Sequence, residues 1–137
     1  MAETVTFELV SPEKLLLSRD AAFVVVPGAE GDFAVLPGHA LFLSSLRPGV
    51  LEVHDETDKA TALFVAGGFA EATPKRCTVL AREAIPMEEM DRAEIEKRRG
   101  EAKEDLGAHP DDREAATLLA TAEAMLVALD TWGKTRA

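Results

Sequence analysis

The residue types best suited to metal or acid–base chemistry are scarce in this sequence and widely spaced. Its three histidines, His39, His54 and His109, do not fall at the i, i+3 or i+4 spacing of paired ligands on one helix face. The single cysteine, Cys77, is followed by strand-forming residues, which predicts a small buried side chain rather than a nucleophile. We therefore expect no metal site, no cofactor and no intrachain disulfide.

A hydrolytic site is also weakly indicated. Ser44 and Ser45 lie inside an apolar run without the G-x-S-x-G frame that exposes a nucleophile on a tight turn. Asp32 could pair with His39, but a histidine satisfied locally in a turn, or one at an interface, is the simpler interpretation. A hydrolase is accordingly the weakest hypothesis, and we expect no catalytic residue.

The charge balance excludes several classes of partner. The formal net charge is −10 and the isoelectric point is about 4.7. Nucleic acids and anionic lipids attract clustered Lys and Arg, so we expect neither nucleic-acid binding nor direct lipid insertion. No apolar run approaches the ~20 residues of a membrane span, and the N-terminus is acidic, unlike a signal peptide. These features predict a soluble intracellular protein.

One dense basic stretch, residues 97–99 (KRR), lies among acids at helical spacing. A solvated helix face is favoured over an anion site. The pairs predicted by the spacing are Glu94 with Arg98, Lys97 with Glu101, and Glu96 with Arg99.

Residues 1–86 consist of short apolar runs separated by turn residues, which indicates a β domain. In residues 4–10 (TVTFELV) the apolar positions alternate with polar ones, as in a half-buried strand. Eight or nine strands of this kind indicate a sandwich or a barrel. The glycine pair in residues 65–70 (VAGGFA) separates two of the runs and precedes no phosphate-binding helix, so we expect a turn or bulge there.

Residues 87–137 change to helical periodicity and form a second predicted domain. Pro86 suits the first position of a helix ending near Leu106, and Asp111 with Glu114 has the spacing of a capping box for a second helix. We predict an antiparallel helical hairpin. The apolar stripe of the second helix comprises Ala115, Leu118, Leu119, Ala122, Met125, Leu126, Leu129 and Trp132.

The segment 31–40 (GDFAVLPGHA) interrupts a strand in an unusual way. Pro37 has no amide hydrogen for a sheet ladder, and Gly38 permits backbone angles that other residues avoid. The chain is therefore predicted to turn here and to display His39 at its surface.

Three motifs then become informative through their order and spacing: LPGHA at 36–40, RPG at 47–49 and GGFAE at 67–71. Together with the two helices that follow, they closely resemble the epsilon-subunit family of bacterial F-type ATP synthases, which is similar to the mitochondrial delta subunit. The likeness spans essentially the whole chain. It implies a flattened ten-stranded β sandwich followed by a helix-turn-helix, and a non-catalytic role.

The resemblance also implies partners and a place in the cell. Family members belong to the central stalk of F1, also written CF(1), where they bind the gamma subunit and the polar loops of the c-ring and couple the two during proton-driven ATP synthesis. Their C-terminal helices can contact the alpha and beta subunits, and they lie peripherally at the cytoplasmic face of the inner (plasma) membrane. The partner-binding positions carried over are Gly31, Asp32, Pro37, Gly38, His39 and Ser44. Asp32 is expected to pair with a basic or amide group on a ring loop.

Two departures from the family pattern concern regulation. Relatives that bind ATP share a pattern on the first helix: Leu or Ile, then Asp, then two residues, then Arg. In this chain the pattern begins with Met90 and Asp91, but Glu94 replaces the arginine. A carboxylate cannot take the place of a guanidinium that binds phosphate, so we expect no nucleotide binding. Between Glu114 and Gly133 the second helix has no Lys or Arg with which to grip acidic catalytic subunits. We expect a hairpin that mostly stays folded against the sandwich, with inhibition weak or carried by another subunit. The alternatives are a hairpin-mediated regulator, acting as inhibitor or ATP sensor, and a free-standing β-sandwich module that binds a small ligand.

Overall fold

The structure, a computed structural model, describes residues 3–57 and 59–136, with side chains of the last helix described as far as Trp132. The chain divides into two compact units at the Pro86–Met87 bond. We call them the β unit and the hairpin. The antiparallel hairpin predicted after a β domain is confirmed.

The β unit is one mixed sheet whose strands follow the order β2-β1-β8-β7-β6-β3-β4, with β5 added to β7. β1 and β8 run parallel, and the other pairs are antiparallel. The strands are β1 Val5–Val10, β2 Leu15–Ala21, β3 Phe23–Gly28, β4 Gly31–Val35, β5 Phe42–Ser45, β6 Gly49–His54, β7 Ala60–Ala72 and β8 Arg76–Pro86.

The alternation of β1 produces the predicted burial. Val5, Phe7 and Leu9 are completely buried, whereas the residues between them are half-buried. Side chains from both ends of the sheet, Ala21 of β2 and Val35 of β4, belong to the same apolar core, so the sheet folds over on itself. Burying one large apolar side chain contributes about 1.5–3 kcal/mol, which makes this core the main source of stability for the unit.

The described residues form eight strands, whereas the family resemblance implies ten. Two of the apolar runs join into the 13-residue strand β7, so the glycine pair is neither a turn nor a gap between strands. Both glycines have positive φ, 72° at Gly67 and 118° at Gly68. They lie between the half of β7 that pairs with β6 and the half that pairs with β5. The pair therefore redirects one continuous strand from one neighbour to another.

The first helix of the hairpin begins later than predicted. Pro86 is the last residue of β8, paired with Leu63, and a 3-10 turn at Met87–Glu89 separates it from α1, which spans Arg92–Ala108. The N-cap is Asp91, whose carboxylate accepts the amide of Ala93 at 3.0 Å. A capping side chain satisfies an otherwise unpaired amide, and this decides where the helix starts.

The second helix, α2, spans Arg113–Arg136. Asp112, rather than the predicted Asp111, accepts the amide of Ala115 at 3.1 Å and is the residue directly before the helix. Ala115, Ala122 and Met125 of the predicted stripe are buried, but Leu118 is exposed.

Ion pairs across the two helices define their antiparallel arrangement. Arg92 near the start of α1 pairs with Asp130 near the end of α2 at 2.5 Å, and Arg99 pairs with Glu123 at 3.8 Å. Arg99, expected to pair within its own helix, therefore has a partner on the other one.

By length and composition alone, α2 could cross a membrane. This differs from the expectation that no apolar run approaches the length of a membrane span. The stretch Arg113–Trp132 has a mean hydropathy of 1.2. Of its three acids, which are costly in a bilayer, Glu123 and Asp130 pair with arginines of α1.

Candidate functional site

The hairpin of β3 and β4 forms one corner of the sheet and presents Asp32. Gly28 and Gly31 face each other across a two-residue loop at 29–30, and Gly31 has φ of 143°. A Cβ on Gly28 would lie 2.8 Å from the Gly31 carbonyl oxygen and 2.9 Å from the Phe33 ring, so glycine is required there. Asp32 follows the tip and is exposed.

Arg47, from the RPG motif, forms hydrogen bonds with three residues of this corner. Its Nη1 donates to the Gly28 carbonyl oxygen at 2.7 Å, and its Nη2 donates to Asp32 Oδ1 at 2.5 Å. Its backbone amide also donates to the Pro27 carbonyl at 3.0 Å. Sequence reasoning used Arg47 only as part of a motif. No local pattern links positions 32 and 47, so its role is found only in the structure.

The chain turns at LPGHA, as predicted. The His39 amide donates to the Leu36 carbonyl at 3.1 Å, and the Gly38 amide donates to the Pro74 carbonyl at 2.7 Å. Gly38 has φ of 85°, which favours glycine. The half-buried His39 ring contacts its own chain, with Nδ1 2.6 Å from the Ala40 carbonyl oxygen. His39 thus has a local partner for one of its ring nitrogens.

Ring contacts connect the turn to the corner. The rings of Phe33 in β4 and Phe42 in β5 meet edge to face with centroids 5.0 Å apart, and the His39 ring is 6.3 Å from Phe42. Ser44 lies two residues along β5, where its hydroxyl donates to the Ser45 carbonyl at 2.9 Å. The structure therefore links the β4 corner, the LPGHA turn and β5.

Large apolar side chains flank this region and remain exposed. Leu41 is 79% exposed and Leu43 64%. Sequence reasoning placed these residues in an ordinary strand and missed their exposure; the available signal was three consecutive large apolar residues, which cannot all face one core. We call this group the apolar rim: Leu36, Leu41, Phe42, Leu43 and Phe69.

The corner lacks the contacts of a hydrolytic pair. Asp32 binds Arg47, whereas His39 binds the Ala40 carbonyl, so the two residues that might have formed an acid–base pair have separate partners. Among the described residues, no group of three or more His, Cys, Asp or Glu side chains is placed to hold a metal ion. Burial raises the pKa of the Cys77 thiol to about 12, so at neutral pH it stays protonated and unreactive.

A shallow apolar groove of about 320 Å³ lies elsewhere in the β unit, between β2 and the ends of β7 and β8. Its two polar residues contact each other, because Arg19 Nη1 donates to Thr61 Oγ1 at 3.1 Å. The groove therefore offers apolar contact rather than chemistry.

The start of α1 has a carboxylate, Glu94, where the nucleotide-binding pattern has arginine. Glu94 is an exposed carboxylate in the first turn of α1, and Arg92 pairs with Asp130. Arg98 Nη1 lies 3.9 Å from the sulfur of Met125.

Comparison with known proteins gives consistent relatives. Residues 4–87 match the family described as ATP synthase, Delta/Epsilon chain, beta-sandwich domain. The chain is 49% identical over 132 residues to an ATP synthase epsilon chain of Paramagnetospirillum magneticum, covering 94% of this chain and 99% of the relative. It is 48% identical to that of Rhodospirillum rubrum, covering 93% and 98% of the two chains.

Solved structures agree. A chain in the Euglena gracilis mitochondrial ATP synthase, resolved with OSCP, F1 and the c-ring, superposes with a TM-score of 0.79 at 27% identity, covering 92% of this chain and 81% of that one. A chain of the Tetrahymena thermophila central stalk and c-ring shares the fold, with a TM-score of 0.52 at 16% identity and coverage of 64% and 69%. The chain is an accessory protein and not itself an enzyme. With most of its length matched, it belongs to the delta/epsilon family of ATP synthase subunits.

Proposed function

We propose that the chain is a rotor subunit of a rotary ATP synthase, in which it joins the gamma subunit to the c-ring. The observation that carries the proposal is the 49% identity to an epsilon chain over 99% of that relative's length. The subunit transmits torque and performs no chemistry. As part of this complex it lies peripherally at the cytoplasmic face of the inner (plasma) membrane.

The β unit has two surfaces of different chemistry, the apolar rim and the polar β3–β4 corner, and we assign each to a different partner. The apolar rim suits gamma, because its large apolar side chains are exposed and the centres of stable interfaces are apolar. The polar corner suits the hydrophilic loops of a c-ring. The partner-binding residues we propose are Gly31, Asp32, Pro37, Gly38, His39 and Ser44.

These six residues would contribute in different ways. Gly31 and Gly38 hold backbone angles with positive φ that shape the corner and the turn. Pro37 and His39 form the turn itself, and Asp32 supplies the exposed charge. Ser44 Oγ already donates within the chain, so a partner would find it as an acceptor.

The two units would act as separate domains, residues 1–86 as a rigid coupling and residues 87–137 as an appendage. A hydrogen-bonded sheet with a shared core deforms little under load. The hairpin has buried apolar side chains in both helices, and cross-helix ion pairs, one of which engages Arg92, add to this packing. We therefore infer that it stays folded, binds no nucleotide and inhibits ATP hydrolysis weakly, with any contact to the alpha and beta subunits secondary.

Crosslinking tests the rotor role directly. Cys77 is the only native cysteine and is buried, so His39→Cys introduces the one accessible thiol. In the assembled synthase, a thiol-reactive crosslinker at position 39 is expected to capture a c subunit or gamma. Ser18→Cys, on the exposed surface of β2 at the opposite end of the strand order, is the matched control.

Two results would contradict the proposal. One is a chain that fails to co-purify with gamma; the other is equal crosslinking yield from positions 18 and 39. Removing residues 88–137 tests the hairpin separately, because a large rise in ATP hydrolysis would show strong inhibition and refute that part alone.

A further inference from the structure

Arg82 in β8 lies over a glycine of the neighbouring strand. A Cβ added to Gly67 of β7 would be 2.7 Å from Arg82 Nε, 3.1 Å from Nη2 and 3.3 Å from Cζ, so any other residue at position 67 would displace the guanidinium. Gly67 also has φ of 72°, which disfavours residues with side chains. The glycine therefore leaves a notch in the sheet surface that is filled by the guanidinium of Arg82.

The guanidinium of Arg82 differs from those of the other arginines in the β unit. Each of the others bonds to a side chain of the same unit: Arg19 to Thr61, Arg47 to Asp32 and Arg76 to Glu8. Among the residues that the structure describes, Arg82 has no hydrogen bond or ion pair through its guanidinium, and it is exposed. The chain has 25 Asp and Glu against 15 Lys and Arg, so this is not for want of acids. Arg82 is thus a cation that is positioned but not neutralised.

Strand register places Arg82 on one face of the sheet with three other residues. Ala81 belongs to the core, so its neighbours Leu80 and Arg82 point outward. Phe69 of β7 is paired with Leu80 and shares that outward face, as does Glu71 two residues farther along β7. We call this group the Arg82–Glu71 strip: Arg82, Leu80, Phe69 and Glu71.

The two ends of the strip carry opposite charges that do not neutralise each other. Glu71 is exposed, and no described residue forms an ion pair or hydrogen bond with its carboxylate. From Gly67, which lies beneath Arg82, to Glu71 the strand covers roughly 13 Å at ~3.3 Å per residue. Salt screens exposed charges at such a separation, since the Debye length is about 8 Å at physiological ionic strength. Each end therefore stays available to a charge of the opposite sign.

The centre of the strip is apolar and open to water. Phe69 is 46% exposed, and Leu43, paired with Glu71 in the ladder of β5 and β7, is 64% exposed. Both residues belong to the apolar rim, so the strip continues that surface towards β8. Protein interfaces commonly combine an apolar centre, which supplies affinity, with charges at the edge, which orient the partner.

We propose that the Arg82–Glu71 strip is a docking surface for a segment of gamma that carries an acid, an apolar residue and a base in the order that opposes Arg82, Phe69 and Glu71. Arg82 binds the carboxylate of that segment and Glu71 binds its basic side chain. Because the two ends differ in sign, the strip accepts the segment in one direction only. This inference rests on the proposed rotor function and specifies how the apolar surface of the β unit orients gamma.

Exchanging the two charges tests the direction of docking. We expect Arg82→Gln and Glu71→Gln each to raise the Kd of the full chain for purified gamma about tenfold in titration calorimetry, because each removes a charge-assisted contact. The double variant Arg82→Glu with Glu71→Arg has the net charge of the unsubstituted chain but the opposite order of charges. It should bind more weakly than either single variant. Binding equal to that of the unsubstituted chain would overturn the proposal.

Arg19→Gln is the matched control, because Arg19 is an exposed arginine of the same unit that lies in the apolar groove and already bonds to Thr61. Its Kd should equal that of the unsubstituted chain. A loss as large as that of Arg82→Gln would assign the effect to net charge and overturn the inference.

Two further outcomes separate this inference from others. A second copy of the chain could also match a strip with one positive and one negative end, so self-association in sedimentation that Arg82→Gln abolishes would overturn the assignment to gamma. If the unsubstituted chain binds gamma and substitutions at positions 71 and 82 leave the Kd unchanged, the inference fails and the rotor role stands. If the unsubstituted chain does not bind gamma, both fail.

Discussion

The β unit and the hairpin are stabilised by different interactions. The β unit has a core of large apolar side chains, including the completely buried Phe7, Leu9 and Leu51. The buried side chains of the hairpin are mostly small, and charges link its two helices at Arg92–Asp130 and Arg99–Glu123. Apolar burial depends little on salt, whereas exposed ion pairs weaken as salt rises. The stability of the β unit should therefore change little with salt concentration, whereas the stability of the hairpin should decrease as salt rises.

The largest expected effect comes from opening the β core. Phe7→Ala should lower the free energy of unfolding of the β unit by about 3–5 kcal/mol, because it leaves a cavity among residues that are completely buried. Urea denaturation followed by circular dichroism measures it. Phe69→Ala on the apolar rim is the matched control and should change stability by less than about 1 kcal/mol, as is usual at the surface. Equal losses would show that the rim belongs to the core.

Two glycines test this contrast. Replacing glycine by alanine should lower the free energy of unfolding in the β unit and raise it in the hairpin. A Cβ on Gly68 would lie 1.8 Å from the Leu80 carbonyl oxygen, and its φ of 118° is unfavourable for alanine. Gly68→Ala should therefore destabilise the β unit by about 1–3 kcal/mol.

Gly100 in α1 has open space around its Cβ position. Gly100→Ala should stabilise the hairpin by about 0.5–1 kcal/mol, because alanine is the better helix former. Thermal melts of both variants provide the test. A stable Gly68→Ala variant would mean that β7 bends without help from glycine.

The cross-helix pairs are expected to contribute less. Asp130→Asn should destabilise the hairpin by about 0.2–1 kcal/mol at low salt, and the difference should shrink at 1 M salt, where charges are screened over ~3 Å. Amide hydrogen exchange in α2 measures the loss. Glu104→Gln, an exposed acid of α1, serves as the control. A salt-independent loss would assign the effect to packing.

The smallest effect concerns the turn between β6 and β7. The Thr57 hydroxyl, followed by the Lys59 amide, donates to Asp55 and lowers the pKa of that carboxyl below its ordinary value of 3.8. Because the folded pKa is the lower one, the stabilisation is present above the unfolded pKa and is lost as pH falls through the folded pKa. Carboxyl NMR titration should show Thr57→Val raising the pKa of Asp55. An unchanged pKa would mean that the hydroxyl bond does not form in solution.

Features governed by neighbouring residues were predicted well from the sequence. The alternation in β1, the turn at LPGHA and the helical hairpin all depend on short-range patterns. Helix starts were less accurate. Pro86 could have ended β8 or started a helix, and in the structure it pairs with Leu63 as the last residue of β8. The helices begin after Asp91 and Asp112, whose carboxylates accept amides of the first turns.

The candidate site also contains some residues that the sequence identified and others that only the structure revealed. Its turn residues were recognisable because Pro37 and Gly38 restrict the backbone locally. Arg47 was not assigned a role, since its contact with Asp32 spans 15 residues of sequence. The apolar rim was missed because a run of leucines and phenylalanine resembles a buried strand until its neighbours are known.

The sequence by itself determined the repeating patterns that make strands and helices, and with them the fold class and family. Only the tertiary structure decided that the two halves of β7 form one strand, that Arg47 orients Asp32, and that Leu41 and Leu43 remain exposed. The physical reason is that periodicity is set by the geometry of adjacent residues. Exposure and pairing depend on which distant segments come together.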